Sequence, residues 1–354
     1  MRVARYLLWR ALRGVAVLLT MIALTMALYF AVETKPPVMF FFPAVSRGQP
    51  VTPAELKVVD HLFYLDRSKV GLYFDYVAHL ARGDFGRYST IDPDGKLVDV
   101  GPVAPLYLRE VRATLSILVG GAILVLLLSL PLGAISGSRI GSWRDRVISF
   151  GALVLVCTHP MMLGLILRSG GGRVNWLPTT GYCPLVRGSS DPCGGPVDWA
   201  SHLVLPWLTF ALLFLALYTR MVRASVAETI HEDFVRTARA KGASQARVLG
   251  RHVLPSASLR VLTMVGMEIG TAIGVCIYIE SAFGIGGIGS GAVSQLGGGN
   301  PFLNLPSDLA IVVLITLIVV IGNLVVDLLY ATVDPRVGVE RGTQRTKSLV
   351  GGVF

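Results

Sequence analysis

Apolar positions along the chain fall into long unbroken runs, separated by short segments in which charge is concentrated. A helix needs roughly 20 predominantly apolar residues to cross a bilayer. Six runs reach that length, at about 14–32, 114–136, 148–167, 201–219, 261–282 and 309–330. The first four contain no Asp, Glu, Lys or Arg, whereas Glu268 interrupts the fifth and Asp327 lies near the end of the sixth. The pattern predicts an all-α integral membrane protein with six transmembrane helices.

The polar segment between the fourth and fifth runs is patterned differently. Residues 225–241 lack Gly and Pro and predict a helix, and Gly242 suits the C′ position that follows one. Ser244 is placed to cap a second helix that stops before Pro255. On that helix Val248, Leu249 and Val253 share one face, and Arg247 and Arg251 share another. Two short amphipathic helices broken at Gly242 make a shape suited to rigid docking against a soluble partner. A basic helix pair lying on the lipid surface is the simpler alternative.

Composition agrees with a membrane class. Mean hydropathy is +0.63, with 53% hydrophobic and 15% charged residues. The net charge of +10 is distributed as a topology signal. Arg2, Arg5, Arg10 and Arg13 precede the first run, and Arg139, Arg144 and Arg146 follow the second. Residues 220–260 hold eight Lys or Arg against three acids. Residues 169–200 hold only Arg173 and Arg187, and residues 283–307 hold no Lys or Arg. Both termini are therefore expected on the cytoplasmic side, and nucleic-acid binding is not read from the charge. The uncharged core of the first run is too long for a signal-peptide h-region and is expected to be a retained helix.

Four segments are expected in order: an N-terminal tail and first span at 1–32, an external segment at 33–113, a five-span core at 114–336 containing the 220–260 cytoplasmic loop, and a tail at 337–354. The external segment holds ten basic and ten acidic residues. Helical patterning at 53–65 and 70–82 and a turn at Ile91-Asp-Pro-Asp-Gly95 suggest a cap over an outer mouth. Cys157 and Cys276 fall inside spans and read as packing residues. Cys183 and Cys193 share one Gly- and Pro-rich loop, where a disulfide requires an oxidising compartment and two unpaired thiols is the other reading.

Little in the chain resembles catalytic chemistry. Residues 284–289 satisfy Gly-x-Gly-x-x-Gly, but the motif lies between two apolar runs and lacks a βαβ context. No P-loop and no convincing zinc spacing occur. His159 and His202 stand beside or near prolines in spans and read as histidines satisfied by a neighbouring helix. Glu268 has two readings: a residue of a translocation path or proton-coupling site, or an interhelical hydrogen bond. Asp327, near a span end, reads as structural, and Glu280 as a support for an external gate or for the glycine-rich turn.

Several of these segments carry a family resemblance. Arg236-Thr-Ala-Arg-Ala-Lys-Gly242, with His252-Val-Leu254, resembles the "EAA" loop of ABC-importer permeases of the dipeptide/oligopeptide branch, with Thr237 replacing the eponymous Glu. Tyr6–Arg13, Leu65–Ser89 and Val103–Leu118 are similar to the opening, the aromatic segment and the entry to the second span in that family. Glu280-Ser-Ala-Phe283 with its glycine turn, and Asp327–Tyr330 with Asp334-Pro-Arg336, resemble its C-terminal signatures. Residues 90–100 look like a small insertion, and the 169–200 loop is long for the pattern.

The resemblance implies a type I importer permease in the bacterial cytoplasmic (inner) membrane that translocates di- or oligopeptides or similar solutes. It implies a second homologous permease, two ABC ATPase subunits that bind ATP and Mg, and an extracytoplasmic solute-binding protein as partners. No catalytic, metal or cofactor site is implied in this chain. The ATPase-docking residues would be Arg236, Thr237, Ala238, Arg239, Ala240, Lys241, Gly242, Ala243, Arg247, Val248, Leu249 and Pro255. Glu268, Glu280 and Phe283 would belong to the path or gate. A proton-coupled secondary transporter using Glu268 is the competing expectation.

Overall fold

The computed structural model describes residues 2–32, 68–91, 97–172, 177–186, 193–297 and 305–333. The expected helix at 53–65, most of the 91–95 turn, the Asp334-Pro-Arg336 match and the tail at 337–354 lie outside the described residues. In chain order the elements are α1 (Arg2–Val32), α2 (Lys69–Ala81), β1 (Arg87–Ile91), β2 (Leu97–Pro102), α3 (Val103–Ser138), α4 (Trp143–Val156), α5 (Pro160–Gly171), α6 (Pro196–Thr229), α7 (Asp233–Ala240), α8 (Gln245–Val248), a π-helical stretch (Leu249–Val253), α9 (Leu254–Phe283), α10 (Ile288–Gly297) and α11 (Leu305–Val333).

Among the described residues, five helices are long and apolar enough to cross a membrane: Leu8–Ala31 within α1, α3, α6, Arg260–Phe283 within α9, and Leu305–Leu329 within α11. The expected third span is not one straight helix. α4 and α5 meet at an angle of 105° across Cys157-Thr158-His159, and count as a sixth span only if the bent pair is taken as one. Pro160 opens α5 because it lacks an N–H, and the His159 side chain accepts the Met161 N–H as its N-cap. Cys157 sits at this break and is exposed, so it is not the packing residue expected; Cys276 is buried. The chain is also not purely helical. β1 and β2 pair antiparallel, from Arg87↔Pro102 to Ile91↔Leu97, around the Asp-Pro-Asp-Gly stretch. The helix expected from 114 begins at Val103, so the expected boundary at 113/114 falls inside α3.

The chain divides into two compact units. One comprises residues 12–114 and 286–318. Its core brings Ile22, Met26, Tyr29 and Phe30 of α1 against Leu72 and Tyr76 of α2 and Leu305, Leu309 and Val313 of α11. A second cluster joins Val103 and Tyr107 of α3 to Ile288 and Ile311. Its polar atoms are matched: Tyr107 and Ser307 hydroxyls lie 2.8 Å apart, and the Ile288 N–H donates to Thr114 Oγ1 at 3.0 Å.

The other unit comprises residues 1–11, 115–285 and 319–354. Within it α3 and α6 run parallel and very close. Gly121 faces the Phe210 ring and Gly137 faces the backbone carbonyl of Arg223, each with 2.5 Å between that neighbour and where a Cβ would stand. Small residues at such contacts let backbones approach, and dispersion and packing then hold the pair together without a hydrophobic driving force. α9 packs against α6 and α5. Near one end of this unit, Arg10 of α1 forms an ion pair with Asp327 of α11, which gives Asp327 the structural role expected of it.

Candidate coupling surface and the polar groups behind it

The polar segment after α6 folds as three pieces. α6 ends at Thr229, where the N–H of Glu232 turns back onto the Thr229 carbonyl, and α7 starts at Asp233. The single helix expected over 225–241 is thus broken at 230–232. Acidic Glu232 and Asp233 sit at the new N-terminus, where the helix dipole favours them. The turn also aims Val235 and Ala238 inward, so that both are buried, while Arg236, Thr237, Arg239 and Lys241 face outward.

α7 closes with a Schellman motif. Gly242 has φ of 82°, its N–H donates to the Arg239 carbonyl, and the Ala243 N–H donates to the Ala238 carbonyl. Ser244 then caps α8, its hydroxyl accepting the Arg247 N–H, as expected. Val248 and Val253 are buried and Leu249 is half-buried, whereas Arg247 and Arg251 are exposed, matching the two predicted faces. The second helix does not stop before Pro255. A π-helical stretch, Leu249–Val253, carries the chain straight into α9, and Pro255 occupies the first turn of that helix, where no N–H is needed. The Leu254 N–H reaches back to the Leu249 carbonyl to make this junction.

Two ion pairs are made by α6, the helix that leads into the segment. Glu228 at the end of α6 pairs with Arg260 in α9, closing the base of the loop. The other involves a buried carboxylate that no strong local pattern singles out. Asp145 accepts two hydrogen bonds from Arg223 of α6, one from Ser136 of α3 at 2.5 Å and one from the Gly141 N–H at 2.8 Å. The only local signal is Ser142-Trp-Arg-Asp145, an N-cap pattern in which Ser142 accepts the Asp145 N–H. Arg223 lies 78 positions away in sequence.

The expected path residues all lie on α9 but are not gathered at one place. Glu268 is half-buried, about 21 Å along the helix from Leu254 at 1.5 Å per residue. Glu280 and Phe283 are buried near the far end. There the Glu280 carbonyl accepts the N–H groups of Gly284 and Ile285, Gly284 is left-handed, and the glycine stretch follows a helix rather than a strand. The neighbouring loop is fastened to the same helix end. The Gly181 N–H donates to the Phe283 carbonyl and the Arg168 guanidinium donates to the Ala282 carbonyl at 2.7 Å. In that loop Cys183 and Cys193 form a disulfide, with Cα atoms 5.5 Å apart. His202 is held by the Asp198 carbonyl, and the His159 ring meets Tyr278 edge-on.

Residues 129–339 match the model of the family described as "Binding-protein-dependent transport system inner membrane component". The oligopeptide transport system permease protein AppB of Bacillus subtilis (strain 168) is 30% identical over 94% of this chain and 99% of its own length. The probable D,D-dipeptide transport system permease protein DdpB of Escherichia coli (strain K12) is 30% identical over 77% of this chain and 82% of its own length. Among solved structures, an inward-facing form of the MetNI methionine ABC transporter matches with a TM-score of 0.50 and 18% identity, covering 64% of this chain and 95% of that one. That last likeness bears on the fold alone, which is that of an ABC importer permease. The chain belongs to the binding-protein-dependent transport system inner membrane components: it is a multi-pass inner-membrane permease of a bacterial ABC importer, in which ATP is hydrolysed by separate subunits.

Proposed function

We propose that this permease translocates di- or oligopeptides, handed over by an extracytoplasmic solute-binding protein, and that the α7–α8 segment is where an ATPase subunit docks. Two ATPase subunits and a second, homologous permease complete the importer, and both termini of this chain are cytoplasmic. The observation that carries the docking assignment is the split of that segment into a buried apolar face, Val235, Ala238, Val248 and Val253, and an exposed basic face. The buried face fixes the segment to its own unit. The outer face, Arg236, Arg239, Lys241 and Arg247, is exposed and suited to complement an acidic cleft. The substrate class rests on the peptide permeases to which the chain is similar along most of its length.

The test is reconstitution of the assembled importer in proteoliposomes with its ATPase and binding-protein subunits. ATP-dependent accumulation of labelled peptides, lost when Arg239 and Arg247 are both reversed to Glu, is the expected result. Accumulation of another solute class and not of peptides would remove the substrate assignment. Unchanged assembly and uptake in the reversed variant would remove the docking assignment. Family membership leaves no need for Glu268 as a proton-coupling group in a self-contained transporter.

A further inference from the structure

Helix α2 divides its surface into three stripes. Leu72, Tyr76 and Leu80 recur at helical spacing and pack into the core formed with Ile22, Met26, Leu309 and Val313. Val70, Phe74, Val77 and Ala81 form a second stripe a little over a third of a turn to one side, at the roughly 100° per residue of an α-helix. Val70 and Phe74 are 67% and 65% exposed. On the other flank Asp75, His79 and Arg82 all face outward. His79 lies 3.7 Å from the Asp75 carboxylate and 3.2 Å from that of Asp84.

The contacts of the buried stripe fix the depth of the helix. Lys69 starts α2 with its ammonium 5.1 Å from the centre of the Phe30 ring, at the end of α1. Four residues later the Tyr73 hydroxyl donates to the Leu19 carbonyl at 3.3 Å, and Leu19 lies near the middle of the apolar stretch Leu8–Ala31. Leu317, near the middle of the apolar stretch of α11, packs against the same cluster. A helix that hydrogen-bonds a mid-span residue of α1 and shares one packed cluster with α11 reaches into the thickness of the bilayer. Its apolar flank is favoured in hydrocarbon, whereas its charged flank is strongly disfavoured there.

We propose that α2 is an interfacial helix, seated in the leaflet in which α1 ends. Val70, Phe74, Val77 and Ala81 are immersed among acyl chains, and Asp75, His79 and Arg82 stand in the aqueous phase. This is the partition of an amphipathic helix lying in the membrane plane, here held at one depth by the protein behind it. The lipid assignment is favoured over a protein partner because the exposed apolar stripe flanks the one that meets the mid-span residues of α1.

Spin labels placed singly through Phe74→Cys and Asp75→Cys test it, in a chain with Cys157→Ala and Cys276→Ala, within the complete importer in proteoliposomes. Collision rates with molecular oxygen and with a water-soluble nickel chelate are compared at the two sites. The expected result is a severalfold higher oxygen-to-nickel ratio at 74 than at 75. A ratio at 74 that matches 75 would place the stripe in water and overturn the proposal. Low collision rates with both reagents at 74 would show a protein partner covering it, which overturns it equally. Val70→Cys reads the same stripe if the Phe74→Cys importer loses ATPase activity.

Discussion

Arg223 grips Asp145 through both oxygens of its carboxylate, Nε to Oδ1 at 2.6 Å and Nη2 to Oδ2 at 2.8 Å. The Asp145 side chain is only 5% exposed. Two-pronged pairing with Ser136 and Gly141 filling the remaining lone pairs satisfies the carboxylate well enough to tolerate burial. Arg223→Ala strands that charge and is expected to cost about 3–5 kcal/mol, read as a lower unfolding temperature of the purified permease. Arg223→Lys, a point donor without the fork, is expected to recover only part of the loss. Equal stability of Arg223→Ala and the unaltered chain would show that the carboxylate is solvated instead.

Gly242 supplies a second prediction. A Cβ there meets nothing within 4 Å, so any penalty of substitution comes from the backbone at φ of 82°. Gly242→Val is expected to cost about 1–2 kcal/mol locally, enough to unmake the C-terminal turn of α7 but not the membrane fold. Normal membrane levels with loss of ATPase co-purification is the expected outcome. Gly242→Asn, which tolerates left-handed backbone better, is expected to lie between the two.

The Glu228–Arg260 pair makes a contrasting case. Its side chains are 62% and 52% exposed, and pairs of that kind contribute about 0–1 kcal/mol. Arg260→Ala is therefore expected to leave thermal unfolding almost unchanged. A large fall in unfolding temperature would show that closing the base of the loop matters more than its solvent exposure suggests.

Glu268 is half-buried in a span, and an acid at the centre of a membrane helix costs roughly 2.5–3.5 kcal/mol on insertion scales. If its role is an interhelical hydrogen bond, Glu268→Gln keeps shape and a donor, and uptake is expected to stay near that of the unaltered importer. Altered substrate affinity, or ATP hydrolysis no longer tied to uptake, with unchanged membrane levels, would move Glu268 to the translocation path.

Orientation is tested by labelling single cysteines in intact cells. Arg82→Cys is expected to react with a membrane-impermeant maleimide, and Gln245→Cys only after permeabilisation. Reaction of Gln245→Cys from outside would reverse the assigned topology.

How far the sequence revealed this molecule depended on the range of the interaction concerned. The apolar runs that became α1, α6, α9 and α11 were legible because membrane solvation acts on composition alone. Gly242 and Ser244 were legible because capping is a matter of adjacent residues. The kink before Pro160 was hidden by the unbroken hydrophobicity of 148–167, although His159-Pro160 carried an N-cap and an N1 proline. The break at 230–232 is hidden by the absence of Gly and Pro across 225–241, although Glu232-Asp233 marks a fresh helix start. β1 and β2 are short, and Tyr88, Thr90, Val98 and Val100 in them are residues suited to strands. The Asp145–Arg223 pair is out of reach, since no local pattern links residues that meet only after α3, α4 and α6 have packed.

The two ends of the α7–α8 segment are joined to the membrane in different ways. At one end, residues 230–232 interrupt the helix and can absorb rotation. At the other, the π-helical stretch passes into α9 without a gap, and α9 extends for about 45 Å at 1.5 Å per residue. A load applied to the segment is thus taken up as bending beside α6 but delivered end-on to α9, as by a lever with one free pivot. Glu268, Glu280 and Phe283, spaced along that single rod, would then move together, whatever each of them touches.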